Sequence, residues 1–192
     1  MDNVQLVEKY PWMKIVDPDD CVYTWAELMP QGWYKAFGEL FFEDLDKALK
    51  ESYPEGIPED FQLLDLKEKW GSLRVYLSSE PRLVSDVLYK YEYISSFICI
   101  ECGIPYPFAH MTYDGWVMPL CEKCYISDRT EIEQCHKNYL QTVLKDSISV
   151  CKGPEDYITI DCYDGKEHTE RKIDIKTTWD KIFEGYVQRT LV

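Results

Sequence analysis

Apolar residues recur along this chain at helical spacing in several stretches and alternate with polar ones in others. Trp33, Phe37, Leu40, Phe41, Leu45, Ala48 and Leu49 fall on one face of a helix over about 33–52. Ahead of it, Thr24-Trp25-Ala26-Glu27 has the form of a capping box and predicts a short helix cut off by Pro30 and Gly32. Pro54, Gly56 and Pro58 mark a break. A hairpin follows from 61–67 and 72–77, with Gly71 at the turn and Leu73, Val75 and Leu77 alternating with Arg74 and Tyr76. Pro81 opens another helix, where its missing N–H costs least. Val84, Val87, Leu88, Tyr91, Ile94 and Ile98 form its apolar stripe, which runs almost directly into Cys99.

The second half repeats these themes. Asp128 and Glu131 predict the cap of a helix to about residue 145, with Ile132, Cys135, Tyr139, Leu140, Val143 and Leu144 on its buried side. Tyr157 to Cys162, an Asp164-Gly165 turn and about 171–175 read as a second hairpin. Thr178 is the expected cap of a last helix carrying Trp179, Ile182, Phe183, Tyr186 and Val187 on one face. The order predicts an α+β fold: antiparallel hairpins packed with amphipathic helices, plus an inserted four-cysteine zinc-ribbon module. The expected parts are an acidic α+β part at 1–98, the ribbon at 99–124, and a helix-hairpin-helix part at 125–192 that forms one compact unit with 1–98.

Hydrophobic residues make up 45% of the 192 and aromatics 15%, enough for a real core and too many for wholesale disorder. Nothing approaches the roughly 18 uninterrupted apolar residues that cross a bilayer. Met1-Asp2-Asn3-Val4 is acidic where a secretory leader is basic and then apolar, so a cytoplasmic protein with no membrane partner is expected. In that compartment eight cysteines with paired spacing point to metal ligation and away from disulfides.

Cys99-Ile100-Glu101-Cys102 and Cys121-Glu122-Lys123-Cys124 are separated by 18 residues. Each Cys-x-x-Cys turn can aim two thiolates at one ion, and two such turns complete a tetrahedron. The expected cofactor is therefore one structural zinc ion per chain, with no coordination position left open for catalysis. Gly103 follows the first pair, where a tight knuckle needs a positive φ. Residues 115–119 are expected to form the ribbon's second hairpin. His110 lies inside the module as a lesser candidate ligand. Cys21, Cys135, Cys151 and Cys162 read as isolated free cysteines, and His136 and His168 as ordinary surface or partly buried histidines.

The formal charge is −14, and residues 1–60 hold 14 acids against 5 bases. Such a chain repels a phosphate backbone and attracts basic surfaces, although acidity also serves plain solubility. Asp17, Asp19 and Asp20, beside Trp12 and Trp25, form one candidate partner-binding cluster. Glu43, Asp44 and Asp46, on the side of the long helix expected to face solvent, form a second.

No Gly-rich phosphate loop, nucleophile elbow or His-Glu-x-x-His motif is present. Asp65-Leu66-Lys67 has the form of half a nuclease metal site, but Glu59 and Asp60 are too close to lie on a separate strand.

Lys67-Glu68-Lys69-Trp70-Gly71-Ser72-Leu73-Arg74-Val75-Tyr76 resembles a K-E-K-(F/W)-G-x-L-R-(F/V)-Y signature of bacterial and phage proteins of unassigned function. In those proteins a helix and a two-knuckle cysteine module follow, as they do here. The resemblance covers about 61–124, with a fainter match at 28–33. It implies a bacterial or phage origin and carries no activity. Within the signature, the plain reading is that Trp70 packs, Gly71 turns and Arg74 pairs with a carboxylate. The alternative makes Lys67, Lys69 and Arg74 a contact for an anion or partner.

The function these features favour is a non-enzymatic, zinc-stabilised acidic interaction protein. It would be an inhibitor or immunity-type protein that docks on a basic partner such as a toxin, nuclease or defence component. A zinc-ribbon nucleic-acid-binding regulator is the alternative, opposed by a ribbon segment with Lys123 as its one base against three acids. A metal-dependent enzyme has only scattered carboxylates to support it.

Overall fold

The stripe from Trp33 to Leu49 builds the centre of the molecule. In a computed structural model that describes residues 1–15, 22–105, 108–111, 117–127, 153–163 and 167–190, Trp33, Phe37, Phe41, Leu45 and Leu49 are all fully enclosed. The helix they belong to begins earlier than expected. The short turn before it ends at Leu28, ahead of Pro30 as expected, and Pro30 itself is the N-cap of the long helix, in which α2 (Gln31–Trp33) runs through a π turn (Tyr34–Gly38) into α3 (Glu39–Ser52). Proline is tolerated there because the first helical N–H groups have no intrahelical partner. The π turn swings Phe42 onto the buried side as well, so Phe41 and Phe42 both reach the core, with ring centroids 5.2 Å apart.

Before this helix lie α1 (Asn3–Lys9) and two 3-10 turns, Pro11–Met13 and Trp25–Leu28. The capping box expected at Thr24 does not close. Thr24 donates its hydroxyl to Asn3 Oδ1 at 2.7 Å, and Glu27 accepts from the Asn3 amide, so both side chains tie the turn to α1. The capping box that does form is at Asp2 and Gln5.

β1 (Leu63–Lys69) and β2 (Ser72–Leu77) pair antiparallel, with Lys69 opposite Ser72. Trp70 and Gly71 make the two-residue turn with φ of 55° and 79°, the left-handed pair that fits strand twist. Glu68 Oε1 accepts from the Gly71 N–H at 2.6 Å and locks it. Leu66, Leu73 and Leu77 are buried, while Trp70 is 60% exposed.

α4 (Arg82–Ser95) lies along both the hairpin and α3. Tyr91 stacks edge-on against Phe41 at 5.2 Å, and its hydroxyl donates to Asp44 Oδ2 at 2.9 Å. Ser95 is fully buried, accepting from the Leu73 N–H at 2.8 Å while donating to Glu92 O at 2.7 Å. Arg74 pairs with Glu92 at 2.7 Å, as the plain reading of the signature requires.

Within the cysteine module β3 (Phe108–Met111) pairs with β4 (Val117–Leu120), followed by α5 (Glu122–Ser127). The last hairpin, β5 (Tyr157–Tyr163) and β6 (His168–Asp174), precedes α6 (Lys176–Thr190). α6 starts two residues before Thr178, which is buried in its first turn and not at its cap. Trp179 packs edge-on against Phe97 at 6.4 Å, and Arg171 lies 2.9 Å from Asp86, off the hydrogen-bonding direction. Phe183 and Val187 are more than a third exposed, so the buried stripe of α6 is narrower than expected. The expected helix at 128–145, the Asp164-Gly165 turn, and Cys21, Cys135, His136 and Cys151 lie outside the described residues. The fold is α+β, every described strand pairing in an antiparallel hairpin. No helix among the described residues is long and apolar enough to cross a membrane.

Ser95 offers a direct check on this packing. Ser95→Ala strips the Leu73 N–H of its acceptor in a water-free site, at a cost of about 1–3 kcal/mol. Urea unfolding should show a lower midpoint with an unchanged slope; an unchanged midpoint would mean the hairpin does not depend on α4 for that bond.

Candidate metal centre

Four cysteines converge where α4 ends. The Sγ atoms of Cys99, Cys102, Cys121 and Cys124 all lie within 4.8 Å of one another, with Cys102 and Cys121 3.6 Å apart. A tetrahedron of metal–sulfur bonds near 2.3 Å has edges of about 3.8 Å, so the four thiols are grouped at the size a single ion needs. Cys99 is fully buried and the other three are half-buried.

Local backbone chemistry explains the grouping. α4 stops at Ser95, and the chain turns through Phe97 and Ile98 to deliver Cys99. The Gly103 N–H donates to Cys99 O at 3.0 Å, and Gly103 takes φ of 77°, closing the first knuckle where a side chain would be strained. Cys99 N donates to Ile104 O at 2.9 Å, and Ile100 N to Pro119 O at 2.8 Å, which fixes the first knuckle to β4. Cys121 and Cys124 come from the start of α5, where Tyr125 N donates to Cys121 O at 2.9 Å.

The thiols act strongly on one another. The Cys99 thiol is lowered to about 4, chiefly by a hydrogen bond from Cys121, with the backbone N–H groups of Cys102, Cys121 and Glu101 adding to it. That first thiolate drives its neighbours the other way. Cys121 is raised by the bond it gives to Cys99 and by burial, and Cys124 is raised to about 12, chiefly by burial. Four thiolates this close ionise together only around a multivalent cation. The donor set therefore fits a metal, and the tetrahedral all-sulfur set is one that holds zinc or iron.

The role of Gly32 is not the one its sequence suggests. As a terminator of the short turn before it, Gly32 would lie outside any helix, yet it lies inside the long one with its N–H donating to Ile100 O at 2.8 Å. A Cβ on it would lie 2.3 Å from Cys99 O and 2.7 Å from Gly103 N; one on Gly103 would lie 2.6 Å from Gly32 O. Next to it the Trp33 indole N–H donates to Ile98 O at 3.0 Å. The helix start is thus seated backbone to backbone on the first knuckle. The faint resemblance at 28–33 is the one signal in the sequence that touches it.

The remaining candidate residues lie elsewhere. Asp17, Asp19 and Asp20 fall outside the described residues. Glu43, Asp44 and Asp46 do not share one solvent-facing side: only Glu43 is exposed. Each also has a cation within the protein. Lys9 is 2.9 Å from Glu43, Lys90 reaches Asp44, and Lys50 is 2.7 Å from Asp46. Asp46 is further held by the Trp12 indole N–H at 3.1 Å. Asp65 pairs with Lys67 of its own strand, and Lys67 lies 5.3 Å from the centre of the Tyr76 ring. Cys162 is half-buried on β5 and His168 pairs with Asp161, neither being part of the cluster.

No family model matches the chain, and no curated protein or solved structure matches it.

Two variants separate the knuckle's fit from cysteine content in general. Gly32→Ala forces a methyl group into Cys99 O, so the metal-loaded variant should melt lower and lose metal to a chromogenic chelator faster than wild type. Cys162→Ser should retain metal like wild type. Equal release from Gly32→Ala and wild type would show that the knuckle needs no support from the helix.

Proposed function

We propose that this chain is a zinc-stabilised, non-enzymatic interaction protein whose acidic surface docks on a basic protein partner. The observation that carries the reading is the grouping of four thiols around one point, which leaves a bound ion no open position for a substrate. Zinc is the ion of choice in an all-cysteine tetrahedron with no redox task. With four thiolates the loaded site adds two negative charges to a chain already at −14. Long-range attraction therefore selects for lysine- and arginine-rich partners and against phosphate backbones.

The resemblance of Lys67–Tyr76 and its following cysteine pairs to bacterial and phage proteins supports a role in the bacterial cytoplasm. There an acidic blocker of a toxin, nuclease or defence component acts by occupying a basic surface. Residues 1–60 carry most of the charge, with Asp17, Asp19 and Asp20 as the candidate cluster along the sequence.

Elemental analysis should find one zinc per chain. Cys99→Ser and Cys124→Ser should lose it and aggregate, because thiolate zinc sites contribute on the order of 10 kcal/mol to folding. A folded, metal-free sample would end the zinc reading, and iron in its place would correct it. For the partner, the immobilised protein should retain basic proteins at low ionic strength and release them near 1 M salt, where the screening length falls to about 3 Å. No salt-sensitive retention, or a salt-sensitive gel shift with duplex DNA or RNA, would overturn the docking reading.

A further inference from the structure

An apolar groove of about 530 Å³ opens between α1, the Trp25–Leu28 turn and the start of the long helix. Leu6, Ala26 and Met29 are buried in its floor, and Met1, Val4 and Tyr34 form its walls. Its volume lies within the roughly 300–1,000 Å³ common for binding pockets. Val4 is 53% exposed, and Leu28, on the neighbouring 3-10 turn, is 58% exposed. Two methionines in the lining give it unbranched, polarizable side chains that adapt to different apolar shapes.

The charged side chains around the groove are of one sign, and the cation at its edge is the Met1 α-ammonium, which donates to the Tyr34 hydroxyl at 3.3 Å and lies 4.0 Å from Glu39. Asp2 and Glu27 line it, together with the amides of Asn3 and Gln31, and no lysine, arginine or histidine does. Among the described residues, both carboxylates are held by neutral donors. Asp2 accepts from the Gln5 N–H at 2.9 Å, and Glu27 from the Asn3 side chain. Glu43, Asp44 and Asp46 differ in this respect, each being matched by a lysine of the protein itself. Among the described residues, no lysine or arginine of the protein pairs with Asp2 or Glu27.

Resting on the docking reading above, we infer that this groove is where the basic partner anchors. The occupant is a segment that places one or two apolar side chains against Leu6, Ala26 and Met29 and sets lysine or arginine against Asp2 and Glu27. Apolar burial supplies the anchor and the rim acids supply orientation and steering, the division of labour seen where hot spots sit inside a charged rim.

The zinc-loaded full chain can be titrated against fluorescent synthetic peptides by anisotropy. A short amphipathic Lys/Leu peptide should bind on the order of tenfold or more tighter than a Lys/Ser peptide of equal charge, as burial of a leucine predicts. Val4→Arg should erase that preference. Asp2→Asn and Glu27→Gln, which keep their hydrogen bonds, should weaken binding and flatten its salt dependence. Metal content and melting temperature identify any variant that has merely misfolded. Equal affinity for the Lys/Leu and Lys/Ser peptides would overturn the groove while leaving the charge-based docking reading intact. A Glu/Leu peptide binding as tightly as Lys/Leu would overturn the basic occupant. Concentration-dependent dimerisation abolished by Val4→Arg would make a second copy of this chain the occupant and overturn the proposal. Binding of neither Lys peptide would overturn it too, and the retention of basic proteins at low salt then decides separately whether the broader reading stands.

Discussion

The structure turns on a contact in which no side chain takes part: the backbone of Gly32 lies directly against the backbone of the Cys99–Gly103 knuckle. Two chain segments 67 residues apart in sequence approach this closely only because Gly32 and Gly103 both lack a Cβ. The contact fixes where the central helix begins and which way it faces. Trp33 is then placed to donate to Ile98 O, and each later turn presents Phe37, Phe41 and Leu45 to the helix that ends at that same knuckle. One helix starts where the other finishes, and the cysteine cluster closes the corner. Order in the cysteine cluster and packing of the main core are thus tied together, and a metal held by the four thiols of the folded chain would stabilise both.

Along the interface of α3 and α4 the polar groups are matched with equal economy. Asp44 receives both the Lys90 ammonium and the Tyr91 hydroxyl, and Tyr91 is enclosed by Phe37 and Phe41. Burial, with the nearby Asp44 charge adding to it, holds the Tyr91 phenol far above its ordinary range, so it stays a donor at any physiological pH. The acids of α3 are therefore part of the protein's interior order as much as of its surface charge.

Much of this was legible in the sequence, and the limits have physical causes. The apolar stripes of the long helix and of α4 were readable because both are long, amphipathic and packed on one side. The hairpin turn at Trp70-Gly71 and the four cysteine ligands were readable because their chemistry is local. What failed to show was everything that depends on tertiary contact. Pro30 and Gly32 look like breakers in isolation and become an N-cap and a close-packing site once the knuckle is beneath them. Thr24 and Glu27 look like a capping pair and are instead captured by Asn3 from a helix 21 to 24 residues away. The acids of α3 looked free because a one-dimensional pattern cannot show Lys9 or Lys90 arriving from other helices. A charge in sequence says nothing of whether its counter-charge is already inside the fold.

The same first turns of the central helix serve two surfaces. Gly32 and Trp33 face the knuckle, whereas Gln31 and Tyr34 line the apolar groove on the other side. Tyr34 spans the gap to the amino terminus, donating its hydroxyl to Met1 O at 2.9 Å and so setting the position of the groove's far wall. The π turn begins at that same tyrosine, which means the groove sits over the least regular stretch of the helix. An isolated helix start of this kind is weak, since its opening turns have few internal hydrogen bonds and a glycine among them. Its order comes from the knuckle below. The shape of the groove is therefore linked to the order of the four-cysteine cluster, and a metal held there would help to set it without touching it. Under the proposed function, that linkage would lower the ordering cost of association by settling the geometry beforehand.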